Sequence, residues 1–186
     1  MNEPIVFIGP MCAGKSTVAA QVSARIGWPR VELDEVRWPY YEEIGFNRDA
    51  ERAAYETGGM DGVFAYWKPF EAHAVCRAVS DYPGHVIDLG AGHSVYDEPD
   101  SFTRVRTALS PCPVILLLPC ADIDRAEGIL AERLRQLTDE PAAFVLNRHF
   151  LESPCNALLA KHTLYTEGES AEETAERVVG LVAGEK

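Results

Sequence analysis

The chain lacks an excess of positive charge. Against 17 lysines and arginines stand 29 aspartates and glutamates, a net charge of -12 in 186 residues. A nucleic-acid backbone or an anionic membrane surface needs a basic face to displace counterions, so neither is expected as a partner. The sequence has no apolar run near the roughly 20 residues of a membrane helix, and no basic segment followed by an apolar core at its start. A cytoplasmic location is expected. Cysteines are few and odd in number: Cys12, Cys76, Cys112, Cys120 and Cys155, with no C-x-x-C pair and no zinc-like spacing. They read as reduced thiols, most of them buried. Internal repeats and low-complexity tracts are also missing.

What is present is ordinary globular material, 47% hydrophobic and 25% charged, enough to bury one sizeable core. One domain over residues 1–186 is expected, as a monomer or weak dimer. Ile5–Ile8 is a short continuous apolar run that reads as a strand, and further strands fit Arg30–Leu33, His85–Leu89, Pro113–Leu118 and His162–Tyr165. Helical spacing falls between them, at Lys15–Ile26, Arg48–Thr57, Lys68–Ser80, Asp122–Leu137 and Ala171–Val182. Ser170 with Glu173 three residues on signals a capping box for the last of these. Apolar strands alternating with helices predict an α/β, doubly wound, three-layer fold on a five-stranded parallel sheet. Two segments read as mobile additions: residues 38–62, with Gly58-Gly59 and Gly62, and a lid over residues 138–150, with Pro141.

Gly9-Pro10-Met11-Cys12-Ala13-Gly14-Lys15-Ser16 satisfies G-x-x-x-x-G-K-[ST] in full, after a strand and before a helix. Such a loop turns successive backbone N–H groups toward one phosphate and adds the positive end of the helix. The expected nucleotide contacts are Gly9, Met11, Cys12, Ala13, Gly14, Lys15, Ser16 and Thr17, with Lys15 on the β- and γ-phosphates and Ser16 on Mg²⁺. ATP and Mg²⁺ are the expected cofactors. Cys12 reads either as a thiol activated by the helix N-terminus or as a small side chain filling the loop.

No guanine-reading N-K-x-D motif is present, and the length leaves no room for the second domain of a large ATPase. A small-molecule kinase needs a carboxylate to orient the acceptor hydroxyl, an acceptor pocket and an arginine-bearing lid. The candidate carboxylates are Glu32 and Asp34, placed by strand alternation on one side of the second strand's end. One would hold Mg²⁺ through water while the other accepts the hydroxyl proton. Asp88, ending the third strand, is the alternative metal-side carboxylate.

These residues resemble those of the shikimate kinases and their relatives among the small P-loop kinases. FIGPMCAGKSTVAAQVSARIG is similar to that family's first strand, loop and helix; Glu32-Leu33-Asp34 resembles its D-x-D element. Val86-Ile87-Asp88-Leu89-Gly90-Ala91-Gly92 resembles its third strand and three-glycine turn. The resemblance implies Asp34 as the acceptor-orienting carboxylate, Glu32 as the metal-side one, and Gly90, Ala91 and Gly92 beside the acceptor. It also implies Arg133 as an adenine-side arginine completing the site, with Arg148 swinging in from the lid. His93 reads as an acceptor contact or a turn residue facing solvent, and His149 as a lid contact or a helix flank.

The acceptor side departs from the family. Its F-R-x-x-E arginine is replaced in Trp67-Lys68-Pro69-Phe70-Glu71 by Lys68, which attracts a carboxylate but cannot grip it through two parallel bonds. No arginine aligns with the family's second substrate arginine, and the lid has Glu140-Pro141 where Arg-Pro is usual. Of the 17 aromatic residues (7 Phe, 3 Trp, 7 Tyr), nine lie between Trp38 and Phe70. They read as packing for the insert, with Trp67 and Lys68 as the contacts to the acceptor. The expected activity is transfer of the γ-phosphoryl group of MgATP to the hydroxyl of a small molecule other than shikimate. A nucleoside or nucleotide kinase and a non-catalytic ATP-binding regulator are the alternatives.

Overall fold

A computed structural model describes residues 3–184. Its sheet has five parallel strands, β1 (Ile5–Ile8), β2 (Arg30–Glu32), β3 (Val86–Asp88), β4 (Val114–Leu118) and β5 (His162–Tyr165), in the order β2-β3-β1-β4-β5. The central strands β1, β3 and β4 are buried on nearly every residue because both faces of the sheet are covered there, whereas the edge strands β2 and β5 each bury one residue. Val6, Ile8, Ile87, Val114 and Leu116 enter one core, Ile5, Phe7, Val86, Ile115 and Leu117 the other. Helices α2 (Leu33–Glu43), α3 (Arg48–Asp81) and α4 (Pro99–Leu109) cover the first face; α1 (Lys15–Ile26), α5 (Ile123–Leu134) and α8 (Ala171–Gly184) cover the second. Helices α6 (Pro141–Glu152) and α7 (Pro154–Leu159) lie between α5 and β5 in the chain. The α/β three-layer architecture is the expected one. The expected capping box also forms: Glu173 accepts from the Ser170 backbone N–H at 2.8 Å, and the Glu173 N–H donates to the Ser170 hydroxyl at 3.2 Å.

Three expectations are corrected. The second strand stops at Glu32, and Asp34 lies in the first turn of α2, where the helix dipole favours a carboxylate. Strand alternation therefore does not relate Glu32 to Asp34. Residues 38–62 are helical rather than loose for most of their length, and α3 runs through Gly58-Gly59. It bends at Gly59, whose φ of 59° and ψ of -145° belong to no helix and suit only a residue without a Cβ. Residues 138–150 are likewise helical from Pro141, the first residue of α6.

The nine aromatics divide as packing demands. Trp38, Tyr41, Phe46, Tyr66 and Phe70 contact one another with ring centroids 5.1–5.7 Å apart and join the first core. Among the described residues no helix is long and apolar enough to cross a membrane. All five cysteines are free; Cys112 and Cys155 are buried and the other three half-buried.

Candidate active site

The chain leaves β1 for β2 at one edge of the sheet and returns through β3, past β1, to β4 on the other side, and the carboxyl ends of β1, β2 and β3 open into one crevice, the usual place for a ligand in such a sheet. A cavity of about 240 Å³ there is walled by Met11, Cys12, Lys15 and Ser16 from the phosphate loop and the start of α1, Glu32 from the end of β2, Asp34 from the first turn of α2, and Asp88 to Ala91 from the end of β3 onward. The loop leads into α1 at Lys15, so Lys15 and Ser16 occupy a helix's first turn, where backbone N–H groups have no helical partner. The buried Lys15 ammonium donates to the Pro10 carbonyl at 3.0 Å, folding back on its own loop. Burial pushes its pKa down, and the carboxylates of Asp88 and Asp34 pull it back up.

Asp88 is buried and one of its oxygens, Oδ1, has no hydrogen-bond partner. Burial raises its pKa, opposed by the Lys15 ammonium and the Ser16 hydroxyl. Glu32 faces the same cavity, but its carboxylate is already paired with Arg30, which also donates to the Ser16 carbonyl at 3.0 Å. Of the two, Asp88 is the carboxylate next to Ser16 that has an open oxygen.

Asp34 reaches the cavity from α2 with its side chain 56% exposed. Its Oδ1 accepts from Arg37 Nη1 at 2.6 Å, one turn along the same helix. The turn after β3 presses against it: a Cβ on Gly90 would stand 2.5 Å from both Asp34 carboxylate oxygens and 2.7 Å from His93 Nδ1. Glycine at 90 is therefore a packing requirement of the carboxylate itself. His93 does not face solvent. It is 1% exposed in the 3-10 turn Ala91–Ser94, with Nε2 3.3 Å from the Tyr41 hydroxyl and Nδ1 unpartnered, 4.0 Å from Asp34. Burial lowers its pKa.

Arg133 on α5 donates to the Cys12 carbonyl at 3.0 Å, which brings it to the loop. Arg148 is not brought there. Its guanidinium is held by Glu127 and by Glu152 at 2.8 Å, with Asp124 at 3.8 Å, on the side of α6 that faces α5. Its neighbour Asn147 points at the loop instead, accepting the Met11 N–H at 2.7 Å and donating to the Met11 carbonyl at 3.2 Å. Burial raises the Cys12 pKa, against a smaller lowering by Lys15 and Arg133, so the activated-thiol reading of Cys12 gives way to the small-side-chain reading.

On the acceptor side, Trp67 is turned from the cavity and donates through Nε1 to Glu51 at 2.8 Å. It lines a separate groove with Arg48, Arg52 and Tyr55. Lys68 donates to the buried Glu71 carboxylate at 2.7 Å and to the Gly92 carbonyl at 3.0 Å. It also borders a second cavity, of about 550 Å³, between α3 and α6, and His149 borders the same cavity. Sequence reasoning missed Arg37, Glu71 and Asn147. Glu71 was visible as the acidic partner three residues from Lys68 on a helix, a spacing that pairs side chains.

No family model matches the chain, and no curated protein matches it in sequence. Solved structures do match. The shikimate kinase from Acinetobacter baumannii in complex with shikimate superposes at a TM-score of 0.65 with 19% identity, over 100% of this chain and 96% of that one. The fold is that of the shikimate kinases. Other solved structures are similar to this chain at lower TM-scores. The YorR protein from Bacillus subtilis, in complex with phosphorylated GDP, matches at a TM-score of 0.57 and 18% identity over 97% of this chain and 96% of that one. The APS kinase CysC from Mycobacterium tuberculosis, in complex with AMPPNP and APS, matches at 0.51 and 16% over 98% and 99%.

Proposed function

We propose that the protein transfers the γ-phosphoryl group of MgATP to a hydroxyl of a small molecule. One observation carries the reading: the phosphate-loop residues Lys15 and Ser16 line a single cavity together with the carboxylates of Asp34 and Asp88. That shared lining supports a phosphate-binding loop beside an acceptor-orienting carboxylate.

The acceptor hydroxyl attacks the γ-phosphorus; a new O–P bond forms, the bond to the β,γ-bridging oxygen breaks, and ADP leaves with that electron pair. Asp34 orients the hydroxyl and takes its proton. Arg37 occupies Oδ1 and fixes the carboxylate's rotation, which leaves Oδ2 for the acceptor. Lys15, once it exchanges the Pro10 carbonyl for phosphate oxygens, neutralises charge developing on the transferred group. The loop amides from Gly9 to Thr17 hold the phosphates, and Arg133 supports the nucleotide side from α5.

The residues fit a magnesium ion. The orphaned Oδ1 of Asp88 and the Ser16 hydroxyl are hard oxygen donors beside the phosphate wall, and Glu32 adds a further carboxylate in the same cavity. Among the described residues no group of three or more His, Cys, Asp or Glu side chains could hold a metal alone, which suits an ion delivered with its nucleotide. When bound, Mg²⁺ supplies charge neutralisation on the β- and γ-oxygens.

The test is a screen of hydroxyl compounds for acceptor-dependent ADP formation with MgATP. Turnover with any member supports the reading; MgATP binding with no turnover across the screen favours a nucleotide-sensing protein, and rapid turnover of shikimate overturns the expectation of a different acceptor.

A further inference from the structure

The cavity between α3 and α6 has an apolar wall and an acidic rim. Met60, Phe64, Val145 and Leu146 supply most of the wall, and Met60 and Val145 are large apolar side chains left exposed. The polar groups at its border are Asp61, Asp97, Lys68 and His149. Lys68 is the lone lysine or arginine among the lining residues, and its charge is already spent. An ammonium has three N–H bonds. One goes to Glu71 and one to the Gly92 carbonyl, and the head sits 5.6 Å from the Tyr96 ring centroid and 5.9 Å from that of Phe150. The side chains of Lys68 and Glu71 are 13% and 4% exposed, so turning the lysine toward an incoming carboxylate would strand Glu71 as a buried, unpaired charge.

The cavity adjoins the phosphate site through packed residues, although the two share no lining residue. The 3-10 turn that accepts Lys68 at Gly92 begins beside Gly90, which abuts Asp34. Leu146 from the apolar wall packs in one cluster with Met11 and Ala91, both of which line the phosphate cavity.

We propose that this cavity takes the apolar body of the acceptor and that Glu71, by holding Lys68, makes the acceptor an uncharged or amine-bearing alcohol rather than a carboxylic acid. The inference rests on the phosphotransfer reading for the hydroxyl at Asp34. The cavity's ligand class rests on its own lining: with Lys68 neutralised, Asp61 and Asp97 leave the rim acidic, which attracts an amine and repels an acid.

Methionine methyl groups report on the two sites separately, Met60 in the α3–α6 cavity and Met11 in the phosphate loop. Protein labelled with ¹³C-methyl methionine is titrated with cyclohexylmethanol, cyclohexylmethylamine and cyclohexanecarboxylate, three probes sharing one ring. The Met60 signal should saturate with the alcohol and the amine at concentrations at least about tenfold below the carboxylate, the scale of one hydrogen bond to a charged group. In Glu71→Gln, where Lys68 is released, that gap should shrink by about tenfold. Wild-type binding of the carboxylate as tightly as the alcohol overturns the proposal, as does a Met60 signal that none of the three moves. The wild-type comparison stands whether or not the variant folds. MgATP is titrated in parallel: a Met11 signal indifferent to MgATP, beside a Met60 signal that discriminates the probes, supports the ligand class and overturns the phosphotransfer reading.

Discussion

Asn147 is the two-point clasp between α6 and the phosphate loop, and replacing it by alanine tests how the lid is held. The amide is 5% exposed and makes both available bonds to Met11, at 2.7 and 3.2 Å. Each neutral bond is worth about 0.5–1.5 kcal/mol net. The two bonds together, net of their exchange with water, put the loss from Asn147→Ala at about 1–3 kcal/mol. For a chain of this length the melting temperature should fall by about 2–12 °C. Asn147→Asp separates clasp from charge. It keeps the acceptor for the Met11 N–H but sets a carboxylate oxygen against the Met11 carbonyl, beside the proposed phosphate site. Its thermal loss should match or exceed alanine's, and MgATP should raise its melting temperature less than alanine's, because the added charge repels phosphate. Thermal denaturation with and without MgATP reads both effects. A melting temperature for Asn147→Ala within about 1 °C of wild type would refute the clasp.

Gly90→Ala should push Asp34 off its position while the half-exposed carboxylate relieves the clash outward. Acceptor-dependent turnover should drop about 10²-fold, at a stability cost of about 1–3 kcal/mol because the buried His93 ring must shift as well; unchanged turnover would show that Asp34 does not need its place. Arg133→Ala should weaken MgATP binding by about tenfold while Arg148→Ala leaves it nearly unchanged, as calorimetry would measure, because only Arg133 reaches the loop. His93 gives a pH signature. Burial lowers its folded-state pKa below 6.5, against the raising effect of Glu71 and Asp34 and with the lowering effect of Arg37 and Lys68. The unfolded chain then binds more protons just below pH 6.5, so the stabilisation is complete above that pH and is lost on acidification at up to about 1.4 kcal/mol per pH unit. His93→Gln should remove that part of the slope between pH 5 and 7 in denaturant titrations; an unaltered slope would contradict a neutral, buried His93.

The donor half was legible because its signal is local: eight consecutive residues between an apolar strand and a helix reproduce the loop, its helix start and the position of Lys15. The central strands β1, β3 and β4 were equally plain, since burial on both faces makes them largely apolar runs, while the edge strands β2 and β5 have only one buried residue each and were placed by the spacing of the helices around them. Helices α4, α6 and α7 escaped notice for one shared reason. Each has proline in its first turn, at Pro99, Pro141 and Pro154, where the missing N–H costs nothing, and such prolines read as loop markers. Helix α2 was hidden by Pro39 in its interior, and losing α2 put Asp34 on a strand it does not belong to. Side-chain direction was less legible still. Asn147 and Arg148 are neighbours, but successive residues on a helix point about 100° apart, so one meets the loop and the other meets Glu127. The rank of Asp88 against Glu32 turned on Arg30, whose pairing with Glu32 and reach to the Ser16 carbonyl exist only once β2 lies beside β3 and α1.

The central claim is that Asp34 and the phosphate loop act on one acceptor across one cavity. Its most direct measurement is ³¹P NMR of MgATP with the acceptor found by the screen, run on wild type and on Asp34→Asn, with nucleotide affinity measured on both. The account predicts a new phosphate-ester signal growing with ADP in wild type, slowed at least about 10²-fold in Asp34→Asn while MgATP binds both alike. A phosphate ester formed as fast by Asp34→Asn as by wild type would contradict it.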